Sequence, residues 1–151
     1  MTAAAHLNIP IVITEQYPRG LGRLVPELQF TGSQIYEKTK FSMWTEEIQE
    51  LPHLKQKDTP IILCGIETHV CVQQTALDLL AEGFHVHIVA DAVSSSRSYD
   101  RQIALERLRN SGAFVTTYES LLLELVRDAS SPQFKFVSGL IKEARPTLFE
   151  P

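Results

Sequence analysis

A doubly wound α/β domain built on a parallel sheet is the fold class that this sequence of 151 residues predicts. Three observations point to it. Short β-branched or aromatic runs alternate along the chain with helical patterns. Most of those runs lack the two-residue alternation of a half-exposed strand, as expected of strands covered by helices on both faces. Each internal helical pattern lies between two such runs, which is how parallel strands are connected.

The elements follow in order. MTAAAHLN reads as the tail of an amphipathic helix leading into a strand IPIVIT, Ile9 to Thr14. No run before it supplies the strand such a helix should follow, so a βαβ unit is expected to lack its first β. TPIILCG (Thr59 to Gly65), FHVHIVA (Phe84 to Ala90) and AFVTT (Ala113 to Thr117) are the remaining strands. Thr68 to Glu82 is a helix with Val72, Ala76, Leu79 and Leu80 on one stripe and Gly83 as its stop. A second runs from Tyr99 to Ser111, with Ser98 as cap and Gly112 as stop. Two closing helices are expected at Thr117 to Asp128, capped by Thr117, and at Pro132 to Glu143, with Ser131 as cap and Pro132 at the first position. The length suits a single domain over 1–151 with one core, and ligands of such a domain bind beyond the carboxyl ends of its strands.

Composition narrows the function classes. With 44% hydrophobic and 21% charged residues the chain is ordinary globular protein, and a formal net charge of −4 offers no basic stripe for nucleic acid or an anionic membrane. No apolar run has the length of a membrane span and no signal-peptide pattern opens the chain. Two cysteines seven residues apart make no disulfide framework, which suits a reducing, cytoplasmic compartment. Small molecules, or other subunits, are the expected partners.

The stretch PIILCGIETHVCVQQTALDLL carries the chemistry. A strand ends at Gly65 and a helix opens almost at once, with Cys71 in its first turn. First-turn N–H groups lack intrahelical partners and the helix dipole adds partial positive charge, so a thiol there ionises more readily than a free one at about 8.5. Thr68 is the expected N-cap, its hydroxyl accepting from the N–H of Cys71. Cys64, inside ILCG, is expected to be an inert core residue.

Four ordered blocks, GIETHVCVQQTALDLL, ITEQYPRGLG, EKTKFSM and VADAVSSSRSYDRQIALERL, together resemble the isochorismatase-like cysteine hydrolase superfamily, in particular its eukaryotic isochorismatase domain-containing branch. The resemblance implies a Rossmann-like three-layer α/β/α fold, here apparently lacking its first strand, and hydrolysis of C–N bonds in small amides or related carbonyl compounds by Asp, Lys and Cys. Cys71 matches the nucleophile of the pattern G-x-x-T-x-x-C-V, spanning Gly65 to Val72. The spacing to Ser42 selects Lys38 as the family lysine, with Lys40 the runner-up. Such an ammonium favours the thiolate and holds developing negative charge. The backbone N–H groups of Glu67 and Cys71 resemble the family's oxyanion hole, and its non-proline cis peptide falls between Ile66 and Glu67. Gln16, Tyr17, Phe41 and Thr68 are the expected substrate-pocket residues, and Trp44 either lines that pocket or packs the core. The family Asp lies on a strand upstream of this sequence. Nicotinamidases of the superfamily hold a metal just after the second strand, where this chain reads Thr14, Glu15, Gln16, Tyr17, Pro18, so no metal or other cofactor is expected. His69, His85 and His87 do not restore a ligand set. An alternative is a catalytically impaired short form that associates with a full-length subunit; a homo-oligomer is the other assembly expected.

Overall fold

The computed structural model describes residues 1–28 and 34–142. In chain order the elements are α1 (Thr2–His6), β1 (Ile13–Gln16), α2 (Pro18–Leu21), β2 (Ile35–Lys38), α3 (Glu46–Gln49), β3 (Ile61–Ile66), α4 (Gln73–Ala81), β4 (Val86–Ser94), α5 (Ser98–Asn110), β5 (Phe114–Thr116), α6 (Tyr118–Val126) and α7 (Phe134–Lys142). This is the α/β class with parallel strands that the sequence predicts. β3–α4–β4 and β4–α5–β5 are the two crossover units, and their strands pair in parallel, Ile61 opposite Val86 and His87 opposite Phe114.

The strands form two ladders. β1 pairs with β2, Ile13 opposite Ile35, and β3, β4 and β5 form a second sheet in that order. Among the described residues no strand of the first ladder pairs with one of the second. A single apolar cluster still spans both ladders: Tyr36 of β2 and Trp44 share it with Leu63, Val72, Ala76, Leu79, Val86, Ile88 and Leu108. A second cluster joins α1 to the closing helices through Ala3, Leu122, Val126 and Val137.

Several expectations need correction. β1 starts at Ile13, not Ile9, because Pro10 has no N–H to give a ladder. β2 was absent from the predicted elements: its IYEK alternates exposed and buried residues at an outer position of the two-stranded ladder. β4 reaches Ser94 by way of an irregularity, Leu63 opposing Ile88 but Gly65 opposing Val93. Arg101 of α5 meets the β4 carbonyls there, its Nε donating to Val93 O at 2.9 Å and its guanidinium also reaching Ala90 O. The strands are not all buried on both faces. β3 is exposed from Cys64 to Ile66, since it has a neighbour on one side, and β5 exposes Phe114. Arg97, not Ser98, precedes the first turn of α5, and Ser98 is its first residue. α7 starts at Phe134, two residues after Pro132, with Ser131 Oγ accepting from Gln133 N at 3.3 Å; Glu143 lies outside the described residues. Thr117 caps α6 as expected, accepting from Ser120 N at 3.4 Å.

Candidate functional site

β3 ends in a turn that glycine makes possible. Gly65 has φ +135, a conformation closed to residues with a Cβ, and the next peptide, Ile66–Glu67, is cis, where the resemblance put it. Glu67 then takes the N-cap position. Its carbonyl accepts from Val70 N at 3.1 Å and from Val72 N at 3.2 Å, the second a bond over five residues that opens Thr68–Val72 into a π-helical turn leading into α4. Cys71 sits half-buried in this turn, beyond the carboxyl end of β3. The expected cap at Thr68 is not made: the residue lies inside the turn, fully buried, and its Oγ1 has no hydrogen-bond partner among the described residues. The widened turn places the Glu67 carbonyl, instead of a Thr68 hydroxyl, under the orphan N–H groups.

Lys38 reaches the same place from the other ladder. It ends β2 and is buried, at 8% exposure. Its Nζ donates to Gln16 Oε1 at 2.5 Å, Lys40 O at 3.0 Å and Phe41 O at 2.8 Å. An ammonium has three protons, so all are used, and none of the three acceptors is charged. Burial pushes the pKa of Lys38 down, and the neighbouring Cys71 pulls it back up. Lys40 points elsewhere, donating to Trp44 O at 2.9 Å and pairing with Asp78 at 3.3 Å. Gln16 holds Lys38 in place, its own Nε2 anchored on Thr39 O at 2.7 Å.

Other segments close around the pair. Tyr17, half exposed with φ +40, starts α2 and bonds through its N–H to Lys38 O at 2.8 Å. Gly20 lets the ring lie against the backbone, since a Cβ there would stand 2.4 Å from Tyr17 Cε1. Phe41 is also half exposed, and Ile66 is more so at 72%. Trp44 belongs to the core, edge-on to Phe84. The Glu67 carboxylate crosses to the loop after β4, accepting from Ser96 N at 2.9 Å and Ser96 Oγ at 3.2 Å. His69 makes a parallel link, Nδ1 to Ser95 Oγ at 3.0 Å. Thr75, which sequence reasoning passed over, donates to Cys71 O at 2.6 Å and accepts from Met43 N at 2.8 Å. Its only sequence signal was a β-branched residue inside a helix, one turn after the cysteine.

Cys64 departs from its expected place in the core: it is exposed, because β3 is open along the break. Crowding around its sulfur still pushes its pKa up, the N-terminal ammonium lowers it, and Asp91 raises it further. A cleft of about 680 Å³ opens beside Lys38 among Glu37, Lys40, Trp44 and Glu47, and another of about 600 Å³ lies among His85, His87, Arg109 and Phe114; Cys71 lines neither. His87 stacks on Phe114 with ring centroids 4.9 Å apart. Among the described residues no group of three or more His, Cys, Asp or Glu could hold a metal ion, and no helix is long and apolar enough to cross a membrane.

Comparison with known proteins bears on the family and the fold. Residues 1–120 match the Isochorismatase domain. The chain is 51% identical over 150 residues to isochorismatase domain-containing protein 2 of Xenopus laevis, covering 97% of this chain and 71% of that protein. It is 48% identical to isochorismatase domain-containing protein 1 of Danio rerio, covering 97% of this chain but 52% of that one, about half the relative's length. Among solved structures it resembles the MAR1 ribonuclease of Caenorhabditis elegans, with TM-score 0.88 and 44% identity over 99% of this chain and 78% of that one. It also resembles the YcaC gene product of Escherichia coli, an octameric hydrolase of unknown specificity, with TM-score 0.79 and 30% identity over 91% and 68% of the two chains. The domain match over most of its length and the half of its residues shared with vertebrate members make this chain a member of the isochorismatase domain family, of the isochorismatase-like hydrolase fold.

Proposed function

We propose that this protein is a cysteine hydrolase of small amides or related carbonyl compounds, with Cys71 as nucleophile and Lys38 as its electrostatic partner. One observation carries the reading: a buried ammonium, ringed by three neutral carbonyl oxygens, sits in the segment that the Met43–Thr75–Cys71 hydrogen bonds tie to the cysteine. A buried cation without a carboxylate is costly unless a negative charge forms beside it, and a thiolate supplies one. The Cys71 sulfur attacks the carbonyl carbon, a C–S bond forms, and the C=O electron pair moves onto oxygen, where the backbone N–H groups of Glu67 and Cys71 stabilise it. When the carbonyl re-forms, the C–N bond breaks and the amine leaves with the proton given up by the thiol. Water then hydrolyses the thioester, so the balance is amide plus water to acid plus amine. Tyr17 and Phe41, both half exposed, border the substrate, Gln16 steadies Lys38, and Thr68, expected in the pocket, is fully buried in the turn and does not face it. The protein works in the cytoplasm, without metal or cofactor, as a homo-oligomer.

The ribonuclease name of the Caenorhabditis elegans neighbour, at 44% identity, favours a second reading, hydrolysis of RNA. A net charge of −4 argues against it, because phosphate contacts dominate nucleic-acid affinity. The test is intact-mass and turnover measurement with p-nitrophenyl acetate, a panel of small amides and a short RNA, on wild type and Cys71→Ser. An acyl adduct on Cys71 and turnover lost in Cys71→Ser are expected. No adduct, turnover surviving in Cys71→Ser, or cleavage of RNA alone would overturn the proposal.

A further inference from the structure

One buried hydroxyl joins the two halves of the site. Thr75 is 2% exposed and lies one helical turn after Cys71. The Met43 N–H can only donate, so at 2.8 Å it takes a lone pair of Thr75 Oγ1, and the hydroxyl proton goes to Cys71 O at 2.6 Å. Met43 lies two residues after Phe41, whose carbonyl, with that of Lys40, cradles the Lys38 ammonium. The chain of contacts therefore runs from the loop around Lys38, through Thr75, to the backbone of Cys71 itself. No ladder does this, since β1–β2 and β3–β4–β5 are separate sheets among the described residues.

A threonine hydroxyl bonded to the carbonyl four residues back is a common local feature of helices and by itself means little. What sets Thr75 apart is its second partner, 32 residues away in sequence, in the segment that carries the opposite side of the site. We infer that Thr75 is a positioning residue that fixes the separation of Cys71 and Lys38, an inference that rests on the reading of these two as the reacting pair.

Thr75→Val keeps the shape and loses both bonds, whereas Thr75→Ser keeps the hydroxyl. Each is compared with wild type by the pH profile of iodoacetamide alkylation at Cys71, resolved by peptide mapping, and by kcat and KM for p-nitrophenyl acetate. Thr75→Val should lower kcat roughly tenfold, within the range for a small misplacement of reacting groups, with KM changed less than about twofold. Its alkylation profile should move to higher pH, and Thr75→Ser should restore both to within about twofold of wild type. If Thr75→Val does not fold, Thr75→Ala loses the same bonds without crowding and gives the same readout. A Thr75→Val or Thr75→Ala protein that melts lower but alkylates and turns over as wild type does would reduce Thr75 to a structural role and overturn the inference, as would failure of serine to rescue. Cys71→Ser run alongside separates the two ideas: acylation undiminished in Cys71→Ser refutes the nucleophile, whereas acylation lost in Cys71→Ser but unaltered in Thr75→Val refutes the positioning role alone.

Discussion

Replacing Lys38 by methionine tests the electrostatics of the site most directly, because methionine keeps the length of the stem and removes only the charge and its three protons. In the wild type Nζ bonds to Gln16 Oε1, Lys40 O and Phe41 O at 2.5, 3.0 and 2.8 Å, and no carboxylate among the described residues shares it. Two effects follow from its loss. Three acceptors lose a charged donor, each worth about 1.5–3 kcal/mol, against which the relief of a desolvated ammonium must be set. The net cost is about 1–3 kcal/mol, or roughly 2–10 °C in Tm for a chain of this size. The second effect is on Cys71. A nearby ammonium favours a thiolate over a thiol, and the half-open surroundings of Cys71 moderate the effect. Alkylation of Cys71 by iodoacetamide at pH 7 should therefore slow roughly tenfold, which is about 1.4 kcal/mol. Lys40→Met is the control. Its side chain is 54% exposed and its ammonium pairs with Asp78, so its loss should change the rate by less than about twofold. The assay is time-resolved labelling with peptide mapping, which reports Cys71 and Cys64 separately. Equal Cys71 rates in wild type and Lys38→Met, or equal slowing by both variants, would refute the pairing of Lys38 with Cys71.

Three further outcomes are expected. Thr68→Val should raise stability by about 1 kcal/mol, because a fully buried hydroxyl without a partner costs about 1–3 kcal/mol; a thermal melt showing a loss of about 1 kcal/mol would instead restore Thr68 as the cap. Arg101→Ala should cost about 1–3 kcal/mol in urea unfolding by stripping the Val93 and Ala90 carbonyls of their donor, and an unchanged midpoint would show that the irregular part of β4 holds itself. Glu15 gives a pH dependence. The Leu24 N–H and Arg23 hold its carboxyl below its usual range, against the opposing effect of burial. Its stabilising contribution is fully present above its unfolded value, about 4.3, and is lost as pH falls through the lower folded value. Glu15→Gln should flatten that part of the stability profile, and a profile identical to wild type below pH 4.5 would exclude Glu15 as its source.

Much of this architecture could be read in the residues. Gly83 and Gly112 end their helices at φ +88 and +99, conformations that glycine supplies, and the stripe Val72, Ala76, Leu79 faces the core as its spacing requires. What escaped was set by neighbours in space. β2 is short and carries Glu37 and Lys38, so no apolar run announces it. Lys38 is buried because carbonyls 2–22 residues away in sequence converge on it, and the type of a residue does not reveal its surroundings. Thr68 has the chemistry of a cap, but the bond from Val72 N to Glu67 O decides where the turn begins. Cys64 looks like core by composition and is exposed by topology, since the ladder stops at its strand.

The break between the ladders also bears on how the site is held. Its cation comes from β2 and its thiol from the turn after β3, and among the described residues no strand pairing fixes one against the other. The separation of Lys38 and Cys71 must then be maintained by side chains: Tyr36 and Trp44 packed into one cluster with Leu63, Val72 and Ala76, and the Met43–Thr75–Cys71 hydrogen bonds. Close packing is stiff, so shifts of a few tenths of an ångström in that cluster pass to the site instead of being absorbed. The turn that carries Cys71 is held differently, across a ladder that does exist, by Glu67 and His69 gripping Ser96 and Ser95. Substitutions in the Trp44 cluster should thus disturb the charge pairing of Cys71 before they disturb the turn that carries it, and substitutions at Ser95 or Ser96 should do the reverse.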